Sequence, residues 1–401
     1  MNYIEQLIQE KCPEGVPYKS LKELGEFYSG LSGKDKNSFS DGNAKYITYT
    51  NIFNNPAINF DLLESVKVGE DENQNAVQLG DVLFTGSSET PDECAMSSVI
   101  TQEPSEPVYL NSFCFGFRFF DRSLLLPDFV KHLFRDSVFR NQVCKAVNGV
   151  TRFNVSKSEL IKCEIPVPPI EIQLEIVKVL DNFSELTAEL TAELTARKEQ
   201  YEYYRNKVLD FGTPEEPKNC EWKTLPEISK NLDRQRKPIA SSLREKGEYP
   251  YYGASGIVDY VKDYIFDGDY LLISEDGANL VARSTPIAFS ISGKNWVNNH
   301  SHIIKFENMY LQKFIEIYLN SIDLKPYISG GAQPKLNQEN LNSIPLPIPS
   351  DDLIKDSVEI LEKFEIITKD LSDGLPAEIE ARKQQYEYYR NKLLTFKRKE
   401  N

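Results

Sequence analysis

The 401-residue sequence lacks the long apolar runs and the export signal that would place it in or beyond a membrane. No stretch approaches the roughly 18 to 20 apolar residues that span a bilayer. The N-terminal segment MNYIEQLIQEKC lacks the basic region followed by an apolar region that marks a signal peptide. We therefore expect a cytoplasmic protein without membrane contact. Its six cysteines form no CxxC pair, and in that compartment we expect reduced thiols rather than a disulfide framework.

Motifs for nucleotide binding and methyl transfer are also missing. NNPAINF (54–60) is the nearest text to the N/D-P-P-F/Y/W loop that grips a flipped adenine, and it does not match. GLSGKDK (30–36) has the wrong spacing for a phosphate-binding G-x-x-x-x-G-K-[ST] loop. No G-x-S-x-G elbow occurs. These absences disfavour a stand-alone methylase or nuclease.

Histidine is scarce, with three residues, and two of them lie in NNHSH (298–302). His300 and His302 would share one face of a strand. A zinc site is disfavoured because no third ligand motif lies nearby, and we predict no metal. Hydrogen bonding to bases or backbone and a plain polar strand end both stay open.

Positive charge is in deficit, because 46 basic residues face 61 acidic ones and the net charge is −15. Residues 220–349 are nevertheless nearly neutral, with 14 basic and 15 acidic residues. Binding to nucleic acid depends on the local face rather than on the total. The acidity therefore argues for a DNA binder that relies on more basic partners, not against DNA altogether.

The chain does contain a long internal duplication. ARKEQYEYYRNKVLDF (196–211) returns as ARKQQYEYYRNKLLTF (381–396), with 13 of 16 positions identical. IPVPPIEIQLEIVKVLDNF (165–183) similarly matches IPLPIPSDDLIKDSVEILEKF (344–364), and GDVLFT (80–85) resembles GDYLLI (268–273). A mixed globular block, a proline-rich elbow and a long helix thus occur twice.

The two blocks, residues 16–165 and 220–345, diverge almost completely. Short β-type runs broken by Gly, Asn and Asp predict strands in both, for example KYITYTNIF (45–53). Each block also carries a helical segment near its end, at 127–143 and 311–322. We therefore predict two α+β domains.

Apolar and aromatic residues, with Arg197 at one position, recur in steps of three and four from Ile172 to Phe211, which predicts a coiled-coil helix of about 40 residues. The seam stutters at the tandem repeat TAELTAEL (187–194). In the second copy, Gly374 resembles a C-terminal cap and Pro376 a first-turn residue. We predict a break there, between helices at about 351–372 and 376–397.

This plan resembles the specificity (S) subunit of a type I restriction–modification system. The resemblance covers essentially the whole chain and rests on TAELTAELTARKEQYEYYRNKVL (187–209), on LPAEIEARKQQYEYYRNKLL (375–394), and on YPYYGASGIVDYV (249–261) with ISEDGAN (273–279). It implies an α+β fold of two globular target-recognition domains separated by two long antiparallel coiled-coil helices with pseudo-twofold internal duplication. The expected segments are 1–165, 166–213, 214–345 and 346–401.

The resemblance also implies a function and partners. Each domain would read half of a bipartite, asymmetric site on double-stranded DNA, without catalysis and without a cofactor in this chain. The paired helices would dock two modification subunits, which bind S-adenosylmethionine and methylate adenine N6. Restriction subunits, which use ATP and Mg²⁺, would join that core. The alternative from another class is a coiled-coil protein–protein adaptor without direct DNA readout.

Helical geometry selects the candidate partner contacts. Neighbouring residues diverge by about 100° on a helix, so Tyr203 and Tyr388 should point away from the seam that holds Tyr201, Tyr204, Tyr386 and Tyr389. The candidate partner-binding residues are Tyr203, Arg205, Tyr388 and Arg390.

Candidate DNA contacts come from basic and small polar loops. DRQRKPI (233–239) precedes tyrosines and small polar residues, a combination suited to phosphates and base edges, although such a run alone is more often a solvated loop. GLSGKDKN (30–37) has the same standing, and SSET (87–90) and YTNIFNN (49–55) offer hydroxyls and amides. The full candidate set is Lys34, Lys36, Thr50, Asn51, Ser87, Ser88, Arg152, Arg234, Arg236, Lys237, Tyr252, Ser255, Asn279, Arg283, Asn298, Asn299, His300 and Lys335.

Overall fold

The computed structural model describes residues 2–39, 41–330, 333–369 and 374–400. It divides into two compact units, one formed by Met1–Ala192 with Ala377–Asn401 and the other by Glu193–Pro376. The division falls inside the TAEL repeat, and each unit therefore contains one globular domain and parts of both helical regions. The compact units cut across the four segments drawn from the sequence, because each helical region packs partly in one unit and partly in the other.

The helices of the described residues are α1 (Asn2–Lys11), α2 (Leu21–Leu24), α3 (Tyr49–Asn54), α4 (Pro127–Leu133), α5 (Ser137–Lys145), α6 (Lys157–Leu160), α7 (Ile170–Val208), α8 (Leu225–Ile228), α9 (Asn279–Ala282), α10 (Met309–Ser321), α11 (Gln338–Asn342), α12 (Asp351–Lys369) and α13 (Leu375–Leu394). None of them is long and apolar enough to cross a membrane.

The strands of the first unit are β1 (Tyr18–Ser20), β2 (Gly25–Ser29), β3 (Ala44–Ile47), β4 (Glu64–Val66), β5 (Val82–Thr85), β6 (Ser87–Ser88), β7 (Ser97–Val99), β8 (Val108–Leu110), β9 (Cys114–Phe119), β10 (Val147–Asn148), β11 (Phe153–Val155) and β12 (Glu164–Pro166). Those of the second are β13 (Cys220–Lys223), β14 (Lys230–Asn231), β15 (Lys246–Gly253), β16 (Gly256–Val261), β17 (Phe266–Asp267), β18 (Tyr270–Ser274), β19 (Ala288–Ile291), β20 (Lys294–Val297), β21 (Ser301–Lys305) and β22 (Leu346–Pro349).

The sheets of the two units share one topology. The antiparallel order β2-β9-β5-β7 in the first unit corresponds to β14-β21-β18-β19 in the second. A second sheet contains one parallel pair in each unit, β3 with β8 and β15 with β20. The strand before each domain pairs with the strand after it, β1 with β12 and β13 with β22. The duplication seen in the helices thus extends through domains whose sequences have diverged.

Two local predictions were wrong, and capping residues explain both. KYITYTNIF is a strand only to Ile47, because the Thr48 hydroxyl then accepts a hydrogen bond from Asn51 N and begins α3. The helical segment at 127–143 is split into α4 and α5. There Asp136 starts the second helix by accepting from Phe139 N at 2.7 Å. The single helix expected at 311–322 is present as α10.

The long helix predicted from the seam is present as α7, and its first turns are the best packed. Ile172, Ile176 and Leu180 are buried in the core of the first unit, together with Leu393 and Leu394 of α13. In the second unit, Ile354, Val358 and Leu361 of α12 are buried in the same way, with Leu209 and Phe211 after α7. Each core therefore contains residues from the beginning of one copy of the duplicated helical region and from the end of the other copy.

Reciprocal ring contacts join the helices within each unit. Phe183 stacks on Tyr389 in the first unit, with ring centroids 5.2 Å apart, and Tyr204 stacks on Phe364 in the second at 5.5 Å. Phe183 and Phe364 are equivalent positions of the duplication, as are Tyr204 and Tyr389. The Phe of each copy thus stacks on the Tyr of the other copy, as expected for antiparallel helices. The predicted fold class is confirmed.

The predicted break in the distal helix is supported on one side. Pro376 lies in the first turn of α13, where its missing N–H costs nothing. The cap predicted at Gly374 adjoins residues 370–373, which lie outside the described residues, so that part stays a prediction.

Candidate nucleic-acid interface

In the first unit, the end of β5 lies beside the start of β9, and an aromatic ring is exposed there. Phe113 immediately precedes β9, and its carbonyl accepts a hydrogen bond from Gly86 N at 2.9 Å. A Cβ on Gly86 would lie 2.5 Å from that carbonyl oxygen, so only glycine fits there. Asn111 Oδ1 accepts from Phe113 N at 2.8 Å and closes the turn. The backbone is therefore held from both sides while the Phe113 side chain is exposed.

A cation lies next to this turn. The Arg152 guanidinium donates from Nε and Nη2 to Ser87 Oγ, at 3.1 and 3.0 Å. Together these groups line a cleft of about 620 Å³ whose other lining residues are Tyr49, Phe53, Ser88, Glu89, Glu93 and Thr151. We call Ser87, Asn111, Phe113 and Arg152 the first strand-end site.

The second unit repeats this geometry with different side chains. His300 immediately precedes β21, and its carbonyl accepts from Glu275 N, the residue after β18, at 2.9 Å. Asn298 Oδ1 accepts from His300 N at 2.8 Å, as Asn111 does from Phe113 N. The imidazole is exposed, and its Nδ1 lies 2.9 Å from Asp276 Oδ1.

A cation is present here as well. Lys335 Nζ lies 3.2 Å from Glu275 Oε1. The other Glu275 oxygen accepts from Arg236 Nη1 at 2.7 Å. Burial acts to raise the pKa of Glu275, but the Arg236 hydrogen bond and the neighbouring cations outweigh it and lower that pKa. The second strand-end site therefore contains an ionised carboxylate, and we define it as Glu275, Asn298, His300 and Lys335.

The tip of the β15–β16 hairpin is attached to this second site. Ser301 Oγ donates to Gly253 O at 2.7 Å, and Asn298 N donates to Tyr252 O at 3.1 Å. Ser255, at the turn of the hairpin, is exposed, as is Asn299. Of the candidates named from sequence, the structure thus brings Tyr252, Ser255, Asn299, His300 and Lys335 together in the second unit, and Ser87, Ser88 and Arg152 in the first. Asn298 lies among them but is buried, and its Oδ1 closes the turn, so it positions His300 and is corrected as a base contact.

Two first-unit candidates have structural roles instead of facing DNA. The Lys34 ammonium pairs with Glu72 and donates to Lys67 O at 2.7 Å, and its side chain is buried. The Asn51 amide is buried and spans the turn to Asn59, donating to its carbonyl and accepting from its N–H. Their hydrogen-bonding groups are used within the fold, so neither is available to bases.

Three second-unit candidates are corrected for the same reason. Arg236 donates to Glu275, Ser301 O and Asp233 O and is almost buried. Arg283 donates to Ile322 O and Asn320 O at the end of α10, where burial lowers its pKa. The Asn279 amide ties Ser284 and Thr285 to α9. Charge and polarity in the sequence did not distinguish these internal contacts from exposed ones.

The remaining candidates lie on the surface without joining a strand-end site in the contacts described. Lys36 and Thr50 are exposed in the first unit, and Arg234 and Lys237 in the second. Lys237 is placed beside the hairpin sheet, because its carbonyl accepts from Trp296 Nε1 at 2.5 Å. They stay predictions as phosphate contacts.

The expectation that His300 and His302 share one face of a strand was wrong, because His300 precedes β21 and only His302 lies in it. His302 is buried, with Nδ1 2.6 Å from Asp233 Oδ2 and Nε2 2.8 Å from Leu336 O, whereas His300 is exposed. In the part of the chain that the structure describes, no group of three or more His, Cys, Asp or Glu is placed to hold a metal.

Tyr203 and Tyr388 point away from the helical seam as predicted, while their role in partner binding stays a prediction. Tyr203 and Tyr388 are 62% and 60% exposed, while each touches its neighbour, Tyr204 or Tyr389, edge-on. Arg205 and Arg390 lie over the rings of Tyr201 and Tyr386, at 5.7 and 5.3 Å from the ring centroids. The two helices thus present the same side chains at equivalent positions.

Sequence reasoning missed Asn111, Phe113, Tyr49 and Phe53. A signal was present, because NSF (111–113) and NNH (298–300) both place an Asn two residues before the exposed side chain and directly ahead of an apolar strand. An Asn at this spacing commonly closes a turn on the backbone N–H two residues later.

Two mixed domains on a duplicated helical frame, each with its own strand-end site, define the class of an internally repeated two-domain protein. The family model of the type I restriction modification DNA specificity domain matches residues 13–199 and again 217–381. The chain belongs to this family.

Curated relatives are similar over parts of their length. A putative type I restriction enzyme specificity subunit of Haemophilus influenzae is 37% identical over 183 residues, which span 45% of this chain and 47% of that protein. The specificity subunit of a type I restriction enzyme of Escherichia coli is 34% identical over 264 residues, 60% of this chain and 64% of that one. The chain therefore matches about half to two thirds of these relatives.

Solved structures show the same fold over nearly the whole chain. The S subunit of a type I restriction–modification system from Mycoplasma genitalium aligns with a TM-score of 0.54 and 16% identity, over 95% of this chain and 96% of that one. A chain from a study of type I system assembly and conformational transition aligns with a TM-score of 0.59 and 16% identity, over 95% and 97%.

Proposed function

We propose that this protein is the DNA-recognition subunit of a type I restriction–modification system. The observation that carries the proposal is the pair of strand-end sites, which share one backbone geometry but differ in side chains. Equivalent scaffolds with different side chains would read two different half-sites of a bipartite, asymmetric sequence. A coiled-coil adaptor without DNA readout is not favoured, because the family is one of DNA specificity domains.

The proposed division of work assigns no catalysis to this chain. Two modification subunits would bind S-adenosylmethionine and methylate adenine N6, and restriction subunits would use ATP and Mg²⁺. The net charge of −15 supports this division, since more basic partners would supply much of the phosphate contact. The duplicated helix faces support two copies of one partner, because equivalent surfaces bind identical subunits.

Exchange of one domain tests the proposal. Replacing residues 16–165 by the corresponding domain of another specificity subunit should change one half of the methylated DNA motif and leave the other half intact. The reason is that the two strand-end sites lie in separate compact units. Sequencing the methylated motifs of host genomes measures this directly.

The reciprocal exchange of residues 220–345 is the matched control, and it should alter only the other half. A motif in which both halves change after either exchange would contradict independent readers.

Substitution of the exposed helix tyrosines tests partner docking. Tyr203→Asp and Tyr388→Asp should each leave the chain folded, because exposed substitutions usually change stability by only about 0.5 kcal/mol. Each should release one modification subunit, since a carboxylate replaces an aromatic contact at an interface. Native mass spectrometry of the assembled complex counts the subunits.

Tyr3→Asp is the control, because Tyr3 is 61% exposed on α1, outside the repeated helices. It should keep two modification subunits. If the Tyr203 and Tyr388 variants also assemble with two, these tyrosines are not the docking contacts.

A further inference from the structure

Phe113 is an apolar side chain held out from the first unit on a constrained backbone. It is 69% exposed. Its N–H is bound by Asn111, and its carbonyl by Gly86, so the turn does not depend on the ring. Exposed rings are ordinary on protein surfaces. A ring on a fixed turn at the mouth of a cleft is positioned for a ligand.

The surroundings of the ring describe that ligand. The hydroxyl of Ser87, the guanidinium of Arg152 and the amide of Asn111 line the same cleft. The carboxylates of Glu89 and Glu93 line this cleft too. Such a set suits a surface that carries both hydrogen-bond donors and acceptors, as base edges do. The ligand must combine that polar surface with an isolated apolar group that the ring can cover. In the major groove of DNA the group of this kind is the 5-methyl of thymine.

The second unit supplies an independent comparison. His300 occupies the position of Phe113, with the same asparagine turn and the same bond to the residue that follows the neighbouring strand of the sheet, β18 here and β5 in the first unit. Its imidazole is polar and is oriented by Asp276. If this position reads bases, an apolar ring and an imidazole would select different base edges.

We propose that Phe113 is a specificity-determining residue of the first unit and that it contacts the 5-methyl group of a thymine. The inference rests on the proposed function, since it assigns a base contact to a DNA-reading site. His300 at the equivalent position makes the second unit read a hydrogen-bonding edge instead. The first half-site must then contain an A·T pair at the position facing Phe113.

Uracil substitution tests this contact, because uracil differs from thymine only by the missing methyl group. The complete modification complex is assembled with wild-type, Phe113→Ala, Phe113→Leu or Phe120→Ala protein. Binding is measured on its target duplex with each thymine of the first half-site replaced in turn. At one position the wild-type complex should bind uracil about fourfold more weakly, the effect of one buried methyl group.

Phe113→Ala should weaken binding to the thymine duplex and show no further loss with uracil at that position. Phe113→Leu, which keeps an apolar side chain, should retain part of the uracil effect. Phe120→Ala is the matched control and should behave as wild type. Phe120 is 66% exposed and follows β9 at its opposite end, away from the cleft.

Three results would overturn the inference alone, with sequence-specific binding intact. They are a wild-type complex indifferent to uracil at every position, a Phe113→Ala complex that keeps the full uracil effect, and a first half-site without an A·T pair. Absence of sequence-specific binding by the wild-type complex would instead overturn the proposed function.

Discussion

Adding one TAEL unit after Leu194 should move the two half-sites of the methylated motif apart by about one or two base pairs, with the bases of each half unchanged. Four residues lengthen a helix by about 6 Å and turn it about 40° beyond a whole turn. DNA rises about 3.4 Å per base pair. Deleting one unit should bring the half-sites together by the same amount.

The structure explains why such an insertion would be tolerated. The repeat lies within the unbroken helix α7, and the division between the compact units falls inside it. Thr187 Oγ1 donates to Phe183 O at 2.8 Å, and Thr191 Oγ1 donates to Thr187 O at 2.7 Å. The threonine hydroxyl of each copy thus donates to the carbonyl four residues earlier. The threonine of an added copy would find a carbonyl at the same spacing.

Motif sequencing of hosts with one, two or three TAEL copies measures the spacing. An insertion of two residues is the control, because it rotates the seam by about 200° and should abolish assembly. A spacing that stays constant across the series would show that the repeat is only a tolerated insertion.

Asp233→Ala should destabilise the second unit by roughly 3 to 5 kcal/mol, the cost of removing one partner from a buried charged network. The carboxylate accepts from Ile303 N at 2.9 Å and lies 2.6 Å from His302 Nδ1. It also pairs with Arg236 at 3.5 Å, and its side chain is only 6% exposed. Truncation would leave His302 and Arg236 buried without this partner.

The effect should depend on pH in a defined direction. Burial acts to raise the pKa of Asp233, but the hydrogen bond and charge of His302 outweigh it, so the folded pKa is lowered. A lowered pKa stabilises the fold above the unfolded value of about 3.9 and loses that contribution as the pH falls through the folded pKa. The difference between wild type and variant should therefore shrink as the pH falls below about 4.

Urea unfolding followed by tryptophan fluorescence measures this prediction, because both tryptophans, Trp222 and Trp296, lie in the second unit. Glu221→Ala is the control in the same unit. Glu221 is exposed and forms a surface pair with Lys223, so the urea midpoint should stay close to that of wild type. An Asp233→Ala midpoint equal to that of wild type would refute the structural role of the network.

The sequence was sufficient for features that repeat or that depend on local periodicity. The 13 of 16 identities predicted equivalent helices, and the reciprocal stacking of Phe183 on Tyr389 and Tyr204 on Phe364 agrees. The 100° step along a helix predicted the exposed Tyr203 and Tyr388. Such patterns are readable because a helix places its faces by sequence spacing alone.

The same reasoning was less successful in choosing DNA contacts among the polar residues, because the polarity of a side chain does not show which group it binds in the folded protein. Lys34, Asn51 and Arg236 have the chemistry of DNA contacts, but the fold surrounds each with internal acceptors or donors. Conversely, Phe113 has an apolar side chain typical of a core residue, but the structure exposes it. These assignments depend on residues far apart in the chain.

By itself the sequence determined the duplication, the two mixed domains, the long helices with their repeat and the resemblance to specificity subunits. Only the tertiary structure decided that the two divergent domains share one strand-end site. The reason is that the bonds from Gly86 N to Phe113 O and from Glu275 N to His300 O are made by the backbone. An asparagine side chain closes the turn in both units. Backbone geometry persists while side chains change, so two domains with little common sequence hold different residues in the same place.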